Sequence, residues 1–142
     1  MNLPRLAIEA HRKAESLTNE TPEGKLQKAK EFFLQSVHSM AEFIAEQLYI
    51  RYQYQRTALA RQFPFMMGNN VWKGGGTLHP NEEVGDVLKQ GTLGIGFIGG
   101  HNAMMALYGQ GHGHNQQAWN TLYEAIEEIE QGGRRLIKGN TA

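Results

Sequence analysis

Gly91-Thr92-Leu93-Gly94-Ile95-Gly96-Phe97-Ile98-Gly99-Gly100-His101-Asn102-Ala103-Met104-Met105-Ala106-Leu107-Tyr108-Gly109 is the stretch on which the fold turns. Its glycines are too densely placed for an ordinary strand or helix. Gly94, Gly96, Gly99 and Gly100 sit where an apolar run gives way to a helix-like run, and glycine there costs stability. Such glycines mark a sharp turn or a close approach of backbone to another group. Thr92 to Ile98 reads as a buried strand and residues 101–108 as a helix. Gly109 to His114 reads as a loop, and Asn115 as the cap of a last helix to about Glu130.

Upstream, Pro80-Asn81-Glu82-Glu83 opens a short helix to about Lys89, with acidic residues in its first turn, and Gly91 stops it. Lys73-Gly74-Gly75-Gly76 is a loop. The clearest periodicity lies earlier. Leu26, Ala29, Phe33, Val37, Met40, Ile44 and Leu48 step by three or four residues and form one apolar face of a helix from about 22 to 60. Thr21 is its expected N-cap and Pro22 its first residue. Pro64 ends it by biasing Gln62-Phe63 away from helical geometry. Pro4 fits the first turn of a shorter helix over about residues 5–16.

The 142 residues suffice for one ordinary domain. Lys plus Arg number 14 and Asp plus Glu number 14, so the formal net charge is zero. A neutral chain has no electrostatic claim on nucleic acid or an anionic membrane. No apolar run approaches the roughly 20 residues that span a bilayer, and no signal peptide precedes the first helix. A cytoplasmic protein is expected. Cysteine is absent, which excludes disulfides, thiolate metal sites and thiol catalysis within this chain.

Two blocks carry a resemblance. Asn2-Leu3-Pro4-Arg5 and Gly96-Phe97-Ile98-Gly99 resemble internal blocks of the anaerobic, glycyl-radical ribonucleoside-triphosphate reductases, in that family's order and at about its spacing. The resemblance covers about residues 2–130. It implies an α/β, predominantly helical fold: a partial segment of the family's ten-stranded α/β barrel, in which residues 2–5 end a strand. Residues 1–131 would be an internal piece of that catalytic barrel, and residues 132–142 a divergent tail, whether by natural divergence or by out-of-frame translation. The resemblance further implies a parent that reduces ribonucleoside triphosphates to their 2′-deoxy forms by radical chemistry, often with electrons from formate. The parent's cofactors are a glycyl radical, zinc and allosteric ATP or dNTP. Its partner is a radical-SAM activating enzyme. This chain has no cysteine to match the family's thiyl-radical or zinc sites, so it is expected to hold no cofactor and to be inactive alone. The alternative reading is a non-catalytic helical interaction or scaffold protein.

Gly94-x-Gly96-x-x-Gly99 also matches the dinucleotide fingerprint, but the next strand with its acidic end about 20 residues on is missing. What survives is physical: a helix start after glycines presents N–H groups to an anion. The resemblance places this corner around the nucleotide substrate, so Gly96, Gly99, Gly100, His101 and Asn102 are the substrate-pocket candidates, with helix packing the competing explanation. Many relatives carry glutamate where Asn102 stands, so no acid–base role transfers to it. No catalytic residue and no metal ligand is assigned: His101, His112 and His114 could be read as a trio, but His112 and His114 fit a solvated loop better. Met66-Met67 and Met104-Met105 read as core fillers. Tyr49, Tyr52 and Tyr54 do not suffice for base stacking without positive charge. Glu124, Glu127, Glu128 and Glu130 read as a solvated helix face. An unpaired apolar strand near Ile95 and Phe97 would invite association with another chain, so self-association (a homo-oligomer) or burial of this strand between helices is the expected remedy.

Overall fold

The computed structural model describes residues 1–139. Five α-helices account for most of them: α1 (Leu3–Glu15), α2 (Pro22–Arg56), α3 (Pro64–Gly68), α4 (Gly100–Tyr108) and α5 (Gln116–Gly139). Short 3-10 turns cover Ala60–Gln62, Gly75–Thr77 and Gly85–Gln90. Among the described residues no strand forms; two isolated bridges, Asn2 with Ile98 and Leu59 with Glu83, are the only β pairing. Nor is any described helix long and apolar enough to cross a membrane. The chain divides into two compact units. One comprises Met1–Ala45 and the chain from Ile95 onward; the other comprises Glu46–Gly94.

In the first unit, α1 starts at Leu3, slightly before the expected residue 5. The Asn2 side chain accepts a hydrogen bond from the Arg5 N–H at 3.1 Å, and Pro4 occupies the first turn. Leu3, Leu6, Ala7, Ala10 and Ala14 line its buried face. Thr21 caps α2 as expected, its hydroxyl accepting from the Gly24 N–H at 3.1 Å. The buried stripe of α2 runs Ala29, Phe33, Val37, Ala41. It therefore leaves the expected track after Val37, taking Ala41 inward and leaving Met40 exposed. Phe33 is fully buried and is the largest residue of a core shared by α1, α2, α4 and α5. Burying such a side chain stabilises the fold by about 1.5–3 kcal/mol.

The second unit has its own small core of Ala60, Met67 and Val84, with Phe63, Trp72 and Leu78 packed around it. Pro64 starts α3, consistent with its disfavouring a helical residue before it. In the glycine-rich loop, Asn70 adopts φ 50°. Its side-chain oxygen accepts from the N–H groups of Gly74 and Gly76 at 3.0 and 3.1 Å. The helix expected from Pro80 is instead a turn followed by the 3-10 segment Gly85–Gln90, capped at Gly91.

Three expectations need correction. Residues 92–98 are not a buried strand: their pairing is confined to the chain start, and Leu93 and Ile98 are exposed. The last helix does not end near Glu130 but continues to Gly139. Asn140 to Ala142, the end of the tail expected to diverge, lie outside the described residues. Third, the acidic face of α5 is only partly solvated. Glu124 pairs with Lys30 of α2 at 2.8 Å and Glu128 with His38 at 2.7 Å, while Glu127 and Glu130 stay exposed.

Gly132 explains why the helix continues through a Gly-Gly pair. A Cβ there would lie 2.9 Å from the Ala41 Cβ and 3.0 Å from the His38 carbonyl oxygen. The two helices cross at that point too closely for any side chain. At Gly133 the nearest atom is the end of the Ile95 side chain, 3.3 Å away. We expect Gly132→Ala to lower stability, because about 1–3 kcal/mol of overpacking exceeds the roughly 1 kcal/mol gained in helix propensity. Gly133→Ala should leave stability unchanged or slightly raised. Urea unfolding of both variants checks this; a loss at 133 with none at 132 would reverse the assignment.

Candidate functional site

The five candidate residues fall on one corner of the first unit, where the chain passes from an extended segment into α4. Residues 96–98 run parallel to the chain start. The Met1 nitrogen donates to the Gly96 carbonyl at 2.7 Å, the Ile98 N–H to the Met1 carbonyl at 3.0 Å, and the Leu3 N–H to the Ile98 carbonyl at 3.3 Å. These bonds fix the approach to Gly99, which takes the left-handed conformation (φ 77°, ψ 28°) as the N-cap of α4. An L side chain is strained there. The Gly99 carbonyl accepts from the Ala103 N–H at 2.9 Å and closes the first turn. Having no side chain, Gly99 gives that turn no side-chain cap.

Both adjacent glycines are occupied by packing. A Cβ at Gly99 would lie 2.6 Å from the Pro4 Cδ of α1, and one at Gly100 would lie 3.0 Å from a methyl of Leu122 on α5. Gly96 differs: nothing lies within 4 Å of where its Cβ would be. The open part of the corner is therefore Gly96, His101 and Asn102, all exposed, while Gly99 and Gly100 are half-buried and hold α4 against its neighbours.

His101 is held from outside its own helix. A Cβ at Gly111 would clash with the His101 imidazole, so the loop passes directly against the ring, and a side chain there would have to displace it. The His112 ring meets His101 edge-on, with centroids 5.8 Å apart and planes at 73°. Trp119 of α5 lies 6.2 Å beyond His112. Contrary to the expected solvated loop, His112 is half-buried, and its Nδ1 is buried with no hydrogen-bond partner; His114 is exposed. Among the described residues no group of three or more His, Asp or Glu side chains converges as a metal site would require.

At the far end of α4 the Tyr108 hydroxyl and the buried Thr121 hydroxyl lie 2.6 Å apart. They line an open groove of about 360 Å³ together with the Lys30–Glu124 ion pair, Gln27 and Asn120. Sequence reasoning had no means of finding this groove or the His101–Gly111–His112 contact. Both join residues through tertiary packing, which leaves no local trace in the sequence.

The architecture and the glycine corner define a helical segment built around a left-handed turn into a short helix, with no thiol in the sequence and no convergent metal ligands among the described residues. The family to which it belongs is shown by a match over residues 1–139 to the family described as anaerobic ribonucleoside-triphosphate reductase. The chain is a member of that family. No significant match to a curated protein accompanies it.

Gly99→Ala should cost about 1–3 kcal/mol through backbone strain and the clash with Pro4. Gly96→Ala, with open space around it, should change stability by no more than about 0.5 kcal/mol. Urea unfolding with amide exchange across α4 separates the two; equal effects would remove the distinction between packing and open glycines.

Proposed function

We propose that this chain is an internal piece of an anaerobic ribonucleoside-triphosphate reductase that shapes the substrate region and carries none of the radical chemistry. The observation that carries this reading is a family match along nearly the whole chain in a sequence without a cysteine. Reduction by a thiyl radical requires a thiol from which the hydrogen-abstracting radical forms, and this chain has none. A thiolate zinc site likewise has no ligands among these residues. The glycyl radical, zinc, allosteric nucleotides and the radical-SAM activating enzyme therefore belong, on this reading, to the parent enzyme. In that parent the Met1–Leu3 and Gly96–Ile98 pairing is a remnant of neighbouring barrel strands. Backbone left open at residues 96–98 can also pair with a second copy, giving a homo-oligomer. The cytoplasm is the proposed location.

The substrate-facing part is the corner of Gly96, Gly99, Gly100, His101 and Asn102. The first turn of α4 offers N–H groups and the positive end of a helix dipole to a phosphate. His101 and Asn102 add hydrogen-bonding side chains. His101 and Asn102 are open to water here, so affinity for a ribonucleoside triphosphate should be weak, on the order of millimolar or worse. A second reading, a non-catalytic helical interaction protein, is favoured by the exposed apolar stripe of Trp119, Tyr123 and Ile126 on α5.

Anaerobic incubation with activating enzyme, S-adenosylmethionine, formate and a ribonucleoside triphosphate should yield no deoxynucleotide. Product above a protein-free blank would overturn the assignment. Titration with the same triphosphate should move the amide signals of residues 99–102. Shifts confined to Arg134 and its neighbours would mean loose charge attraction and would remove the pocket from the reading, leaving the interaction protein as the better one.

A further inference from the structure

We infer that Gly111 and His112 are positioning residues for His101, setting the direction in which its imidazole faces the corner at the head of α4. The inference deepens the proposed function and rests on the reading of residues 96–102 as the substrate-facing corner. Its basis is geometric. His101 stands in the first turn of α4 and is exposed. An exposed side chain with two rotatable bonds has no fixed direction unless a neighbour supplies one. Here the loop after α4 supplies it on two sides: the Gly111 backbone lies against the ring, and the His112 ring closes edge-on at 5.8 Å. His112 is itself backed by Trp119, which α5 carries. The direction of His101 is thus set by the loop and by α5 as well as by α4.

The buried, partnerless Nδ1 of His112 says what kind of contact this is. A buried polar atom with no hydrogen bond costs stability. His112 therefore acts through its ring surface, in the edge-to-face arrangement that aromatic pairs favour. A phenylalanine at 112 should keep the contact and remove the orphan nitrogen. Alanine should remove the contact altogether.

The test uses the 142-residue chain with isotope-labelled histidine rings. In the unaltered protein, Overhauser contacts should join the His101 ring to the Gly111 α-protons. His112→Ala should collapse the His101 ring signals toward those of a free imidazole and abolish triphosphate-induced amide shifts at 99–102. His112→Phe should preserve both and be at least as stable as the parent. Unchanged His101 signals in His112→Ala would overturn the inference, as would a His112→Phe variant that behaves like alanine. Should His112→Ala fail to fold, the Overhauser contacts and the phenylalanine variant still decide, and missing contacts would overturn it. If the unaltered protein shows fixed His101 signals but no triphosphate shifts, the pocket reading fails while the positioning of His101 stands.

Discussion

Everything in the first unit depends on seating the head of α4 against the start of α1. The two segments are far apart in the chain: Met1 and Gly96, joined by a hydrogen bond, are separated by 95 positions. Closing a loop of that length costs about 4 kcal/mol in chain entropy beyond a constant. Burial of Leu3 and Leu6 on α1, at about 1.5–3 kcal/mol each, offsets a cost of that size. The close approach is possible because Gly99 presents no Cβ to Pro4 and accepts a left-handed backbone. Proline serves from its own side. It rigidifies the first turn of α1, where its missing N–H is not needed, and offers a flat ring as the surface on which Gly99 rests. With that contact made, α4 lies along α1, Ala103, Met104 and Leu107 turn inward, and Phe33 and α5 complete the core.

Helices whose signals are local were legible from the residues alone. Thr21 and Asn115 each cap the helix they precede, and Gly109 ends α4 in a left-handed conformation. Such signals depend on a few neighbouring residues and survive any tertiary arrangement. What could not be read depends on partners distant in sequence. Residues 92–98 have the apolar character of a strand, but a strand exists only where a ladder partner runs beside it. The chain start supplies three backbone bonds and no more, so the segment stays extended and largely exposed. The same logic governs Gly132-Gly133. By local propensity two glycines stop a helix; the crossing with Ala41 and His38 instead requires a residue without a side chain there, and packing overrides propensity.

For the candidate site, the sequence grouped its residues at one corner but could not divide the glycines among them. Gly96, Gly99 and Gly100 look alike in a string of letters. In the fold, Gly99 is filled by Pro4, Gly100 by Leu122, and Gly96 by nothing. The charges show a similar split. Four acidic residues on α5 look like one solvated face, yet Glu124 meets Lys30 and Glu128 meets His38 of α2, while Glu127 and Glu130 stay exposed. A helix face is defined by its neighbours as well as by its period. Partly exposed pairs of this kind are worth about 1 kcal/mol or less each, so they refine the fit of α5 on α2, and the apolar core determines it.

On the proposed reading, the division between packing and chemistry in this chain follows from what radical reduction demands. A reactive radical must be kept away from water, which requires a closed, dry site. A chain without cysteine would then contribute walls to such a site. The corner at Gly96–Asn102 has the properties of a wall. Its backbone is fixed on one side by α1 and α5, while its polar groups, His101 and Asn102, face solvent on the other. Hydrogen-bonding groups left in water discriminate poorly between a ligand and water itself, and they gain strength only when another surface excludes that water. On the proposed reading, the rigidity of the corner is what the segment contributes. Its direction is set in advance by Pro4, Leu122, Gly111 and His112, so a covering segment would meet groups already aimed and would not have to order them on closure.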